Sequence, residues 1–252
     1  MKITLSALFF LFLATLISAQ TLEDAPDAAK LYNEGNKLRK SGNYNGAIEK
    51  YDQALKGSND YRIYYQKGVT YKKLRDYKKA EEAFIKCTQA KPDFDIAYNG
   101  LGGTYFSLGQ FEDAVKAFKK FEELSTKPKL KKKAGEYIAR AYTKLGLSAK
   151  SKGSFDKAVD QLQNAVKYHP FDAAYLALAE VYVDKGEYDN ALTAADNAIN
   201  NRKSISKGAG YYYKGLAFKG KDNKEKAIEN FKIAVKDSKY KNNSQYELKN
   251  LN

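Results

Sequence analysis

Tryptophan is absent from the 252 residues, and cysteine, histidine and methionine occur once each. A single cysteine excludes an internal disulfide, so stability has to come from packing. Cys87 and His169 together are too few ligands for a structural zinc site. His169 stands beside Pro170 at a turn, a poor place for a general base. No phosphate loop of the Gly-Lys-Ser/Thr kind is present. Gly100-Leu101-Gly102-Gly103 carries two glycines of a dinucleotide fingerprint, but Tyr105 occupies the place of the third. The acids are scattered at helical spacing and read as solvated helix faces. The sequence therefore points away from an enzyme, and it offers no cofactor, metal or small-molecule substrate site.

What is present begins with an export signature. Met1-Lys2 supplies a positive charge, and Ile3 to Ile17 is apolar except for Thr4, Ser6 and Thr15. Ser18-Ala19-Gln20 then places a small residue before a polar one. This layout predicts a signal peptide over 1–19, cut after Ala19. The apolar stretch is near the lower limit for a membrane span, so a retained anchor is the alternative. Removing 19 of 252 residues, Lys2 among them, leaves 233 residues and lowers the formal charge from +14 to +13. That charge favours acidic partners, although lysine-rich solvated faces also serve solubility alone.

Internal periodicity organises the rest. Small residues recur at Gly35, Gly68, Gly102, Gly146, Ala179 and Gly215, and twelve residues after each stands an alanine, from Ala47 to Ala227. Tyrosine dominates the position four before the small residue. Three after it stand Leu38, Tyr71, Tyr105, Ala149, Tyr182 and Phe218. Sixteen after it stand Tyr51, Phe84, Phe118, Leu162, Ala195 and Phe231. Positions −4, 0 and +3 share one face of a helix, where a small residue admits a second helix at close range. Glycine at +7 in four copies, with Arg75 and Asp222 in the others, suits a helix C-terminus that needs a left-handed residue. Pro92, Pro128 and Pro170 close three copies. Each unit is a helix–turn–helix of about 34 residues that cannot bury its apolar face alone.

Tyr98, Leu101-Gly102, Tyr105, Ala114 and Phe118 closely fit the tetratricopeptide pattern, and Tyr175, Leu178-Ala179, Tyr182 and Ala191 fit it less tightly. The chain thus resembles the tetratricopeptide repeat family from about Ala28 to Lys241. The resemblance implies an all-α, right-handed superhelical solenoid of six helix–turn–helix repeats. The boundaries are 28–60, 61–94, 95–128, 129–171, 172–207 and 208–241. Residues 20–27 are expected to be mobile. A short helix over 242–252 is expected to close the end, with Ser244 and Glu247 as a capping box and Leu248 and Leu251 on its apolar side. The spacing from Gly102 to Gly146 is ten residues too long, which predicts extra turns at the start of the fourth repeat's first helix. Ala149 leaves an aromatic column empty there, which predicts a looser joint and a hinge.

By the same resemblance, the first helix of each pair lines the concave side. Positions −3, +1 and +4 then face the groove. The candidate partner-binding residues are Tyr32, Asn36, Arg39, Tyr65, Lys72, Asn99, Phe106, Lys150, Tyr212 and Lys219. Tyrosine interleaved with basic residues suits an extended protein or peptide segment that is acidic or carries a free carboxylate. Some family members clamp the terminal carboxylate of heat-shock chaperones. Only Asn36 matches that clamp, with Tyr32, Gln66, Ile96 and Gly100 at its other places, so the clamp is not expected here. The leading reading is an exported interaction scaffold of the bacterial periplasm or the secreted space. The alternative is a binder of anionic polymer such as cell-wall glycan; export argues against nucleic acid. Five lysines within Lys127–Lys133 offer a second patch for an anionic membrane surface.

Overall fold

A computed structural model describes residues 21–251, all of its regular elements being helices. The expected signal segment 1–19 lies outside the described residues. The first pair is α1 (Pro26–Lys40) and α2 (Tyr44–Ala54), and the second is α3 (Tyr61–Lys73) and α4 (Tyr77–Ala90). The third is α5 (Asp95–Leu108) and α6 (Phe111–Leu124), and the fourth is α7 (Pro128–Ser151) and α8 (Phe155–Tyr168). The fifth is α9 (Asp172–Lys185) and α10 (Tyr188–Asn200), and the sixth is α11 (Ala209–Gly220) and α12 (Lys224–Ala234). A last helix, α13, runs from Lys241 to Leu251. Each pair packs on the next in chain order, forming a right-handed superhelical solenoid.

The repeated columns have a direct packing cause. In five of the six repeats a large residue at +16 lies against the glycine at 0 of its own repeat. A Cβ on residue 102 would stand 2.7 Å from the Phe118 ring, and one on residue 35 would stand 2.6 Å from Tyr51. Tyr51, Phe84 and Phe231 are fully buried in these slots. Between the helices of a pair the chain turns through a left-handed residue. Gly42, Gly109, Gly153 and Gly186 hold φ between 72° and 86°, and Arg75 (59°) and Asp222 (56°) adopt the same conformation. In three repeats the following residue caps the second helix: Asn43, Asp76 and Asn223 accept from backbone N–H groups of that helix's first turn.

Three expectations need correction. Residues 21–25 are packed rather than loose: Leu22 and Ala25 are buried, and the Leu22 N–H donates to Asp60 at 3.3 Å. The third-to-fourth joint is not loose either. The extra turns of α7 bury Ala134, Gly135 and Ile138, and Tyr137 packs on Phe118 with centroids 5.0 Å apart. Ala149 is buried in a cluster with Leu162 and Leu178, so larger aliphatic neighbours fill the space an aromatic would take. Finally, α13 begins before Ser244. Tyr240 is buried just ahead of the helix, and Ser244 is fully buried inside it, so Ser244 is a close-packing residue and not an N-cap.

Candidate functional site

The first helices of repeats two and three place their −3, +1 and +4 residues on one wall. Tyr65, Val69 and Lys72 come from α3, and Asn99, Gly103 and Phe106 from α5. Together they line a concave cavity of about 560 Å³. The rings of Phe84 and Phe118, seated on their glycines, form its back. Four of the sequence-derived residues, Tyr65, Lys72, Asn99 and Phe106, thus meet in one place.

The fourth repeat contributes residues the pattern missed. Tyr137 and Arg140 close the cavity from α7. They stand nine and six residues before Gly146, outside the −3, +1, +4 stripe: Arg140 holds the −6 place that Ile96 holds in repeat three, also on the cavity wall, whereas Tyr137 stands further back than α3 or α5 reach from their small residues. The ten-residue spacing excess was the signal that could have pointed to Tyr137.

The cavity's electrostatics are one-sided. Lys72, Lys73 and Arg140 line it and no acid does. Lys72 is half-buried, and among the described residues its ammonium has no ion pair and no hydrogen-bond acceptor. Burial alone pulls its pKa below the ordinary lysine value. Arg140 is exposed, with its guanidinium 5.9 Å from the Phe171 ring centroid. Tyr65 packs on Phe84 and Phe94, and burial raises its pKa. One repeat earlier, Asn36 accepts a hydrogen bond from the Tyr51 hydroxyl at 2.8 Å, Tyr32 leans on the Tyr51 ring, and Arg39 has its Nε buried without a partner.

The C-terminal half of the stripe is different: of its candidate partner-binding residues, Lys150 and Lys219 have their charges taken up within the chain. Lys150 pairs with Glu180 at 2.6 Å and Asp184 at 3.2 Å, both from the next repeat. Burial lowers its pKa, but the hydrogen bonds and charges of those acids outweigh it and the net shift is upward. Lys219 pairs with Glu247 of α13 at 2.6 Å. Tyr212 packs on Tyr240 with centroids 5.2 Å apart. These three are engaged within the chain. Of the other titratable candidates, Cys87 is buried, and its thiol is pushed up to about 12 by burial and secondarily by the Asp60 charge, so it is inert.

Profiles described as tetratricopeptide repeat match residues 61–94, 96–128 and 143–206. A solved structure of the protein MamA is 30% identical, with a TM-score of 0.51, covering 75% of this chain and 96% of that one. The chain belongs to the tetratricopeptide repeat family. Proteins of this family are protein–protein interaction scaffolds and are generally not enzymes. Tetratricopeptide repeat protein 1 of Schizosaccharomyces pombe is 31% identical over 179 residues, which are 69% of this chain. The chain spans only 16% of that relative's length, and 32% of small glutamine-rich tetratricopeptide repeat-containing protein 2 of Mycosarcoma maydis. The structure of YrrB, described as a TPR protein with an unusual peptide-binding site, shares the fold at a TM-score of 0.50 and 18% identity, over 74% of this chain and 91% of that one.

Proposed function

We propose that this tetratricopeptide repeat protein is an exported scaffold that holds an extended protein or peptide segment in its concave groove. The observation that carries the reading is the cavity across repeats two to four, where Lys72, Lys73 and Arg140 stand among aromatic walls with no acid. A concave site with unbalanced charge and apolar walls suits an acidic, partly apolar partner. Acidic segments suit it best. The apolar start followed by Ala19-Gln20 supports export to a periplasm or the outside. Intact mass of the chain recovered from producing cells should then show a start at Gln20.

The binding experiment is a selection of displayed peptides on the chain, followed by groove variants. Selected peptides should lose affinity with the double change Arg39→Ala, Lys72→Ala. They should keep it with Lys78→Ala, Lys79→Ala, whose side chains pair with Glu81 and Asp76 on the outer helix α4. Equal loss at both places would show that only net charge matters.

A second reading rests on a separate observation. Lys127, Lys129, Lys131, Lys132 and Lys133 are all exposed, and among the described residues none pairs with an acid. They crowd the N-terminus of α7, where the helix dipole disfavours cations. An anionic polymer or lipid surface would relieve that crowding. Steep loss of binding to polyglutamate with rising salt, abolished by changing these lysines to glutamine, would favour it.

A further inference from the structure

Residue 103 is a glycine in the middle of α5, where glycine weakens a helix. Its neighbours explain themselves: a Cβ on residue 100 would stand 2.5 Å from the Phe84 ring, and one on residue 102 would stand 2.7 Å from Phe118. Core packing therefore demands both. A Cβ on residue 103 would meet only Lys72 Nζ, at 2.8 Å. No core side chain requires this glycine. It leaves floor space on which the Lys72 ammonium lies, half-buried, without a counter-ion and in the same cavity as Phe106 and Tyr137.

We infer that Gly103 and Lys72 form a subsite for the carboxylate of an aspartate or glutamate side chain, with an adjacent flat apolar side chain of the same segment held between Phe106 and Tyr137. The inference rests on the groove reading above and names its ligand chemistry. An internal acid fits better than a chain terminus. The subsite lies mid-groove, and the concave face continues past it toward Tyr32 and Arg39 on one side and toward repeats four to six on the other. The partially desolvated ammonium gains a counter-ion only when the segment binds, so the contact is charge-assisted. Burial already lowers the Lys72 pKa, which a bound carboxylate reverses.

The test uses the full chain and three small probes: phenylacetate, phenylacetamide and acetate. Backbone amide resonances of residues 72, 103, 106 and 137 should shift saturably with phenylacetate at millimolar concentration. Phenylacetamide, lacking the charge, and acetate, lacking the ring, should each bind about fivefold or more weakly. Lys72→Met should reduce phenylacetate to the level of phenylacetamide. Gly103→Ala should raise Tm, showing an intact fold, while weakening phenylacetate. Equal binding of phenylacetate and phenylacetamide, unchanged phenylacetate binding in Lys72→Met, or no saturable shift would each overturn the subsite. The groove reading is judged separately by the displayed peptides. Peptides that bind the groove but survive replacement of every acid by its amide leave that reading standing and remove the subsite. Peptides that need a free C-terminus rather than an internal acid do the same. Phenylacetate binding with no peptide binding keeps the subsite and removes the groove reading.

Discussion

Lys72 and Gly103 are matched across two repeats: the lysine's ammonium fills the place that a side chain at 103 would take. Gly102, its neighbour, instead faces the Phe118 ring. Two adjacent glycines therefore answer to different demands, and alanine should separate them. Gly103→Ala should stabilise the chain by about 0.5–1 kcal/mol, the ordinary helix-interior gain, because the flexible lysine tip can move aside. Gly102→Ala should destabilise it by about 1–3 kcal/mol, because a core ring has to shift. Urea unfolding of the two variants checks both signs.

The turns between paired helices offer a cleaner backbone test. Gly109 has φ of 77° and nothing within 4 Å of a would-be Cβ, so substitution there meets only conformational strain. Gly109→Ala should cost about 1 kcal/mol. Arg75, already in that conformation at φ 59°, should give the reverse: Arg75→Gly should be neutral or stabilising by up to about 1 kcal/mol. Thermal melts of the two variants moving in the same direction would contradict the assignment.

Asp172 predicts a pH dependence. It is almost fully buried and accepts hydrogen bonds from the N–H groups of Lys203 at 2.6 Å and Ile205 at 3.0 Å and from the Ser204 hydroxyl at 2.6 Å. Burial raises its pKa, but these bonds outweigh burial and hold it at about 2, below the ordinary 3.8. A carboxylate with a depressed folded pKa contributes stability that is complete above its unfolded value and is lost as pH falls through the folded one. Between about pH 5 and pH 2 the wild type should lose about 2 kcal/mol that Asp172→Asn cannot lose, since the variant lacks it at neutral pH. Urea midpoints of both proteins across that range give the difference directly.

Much of the fold was legible because six copies repeat the same columns. The Gly102 and Phe118 pair is visible as an offset of sixteen that recurs from Gly35 and Tyr51 to Gly215 and Phe231. Features that occur once were not legible. Leu22 packs beside Asp60 through a contact no other repeat makes, and Tyr137 reaches the cavity from a part of α7 that α3 and α5 lack. The engagement of Lys150 was half legible. The sequence shows Lys150 and Glu180 on the same stripe, but only the superhelix brings successive repeats close enough to neutralise one by the other.

Ligand should bind the open, cationic half of the groove and not the self-paired half. Affinity of a selected peptide for Lys72→Met and Lys150→Met distinguishes the two halves. Lys72→Met should weaken binding about tenfold, the effect of one charge-assisted contact. Lys150→Met should change it less than about twofold, because its charge is already engaged by Glu180 and Asp184. Equal losses, or the larger loss at Lys150, would show that the ligand does not prefer the open half.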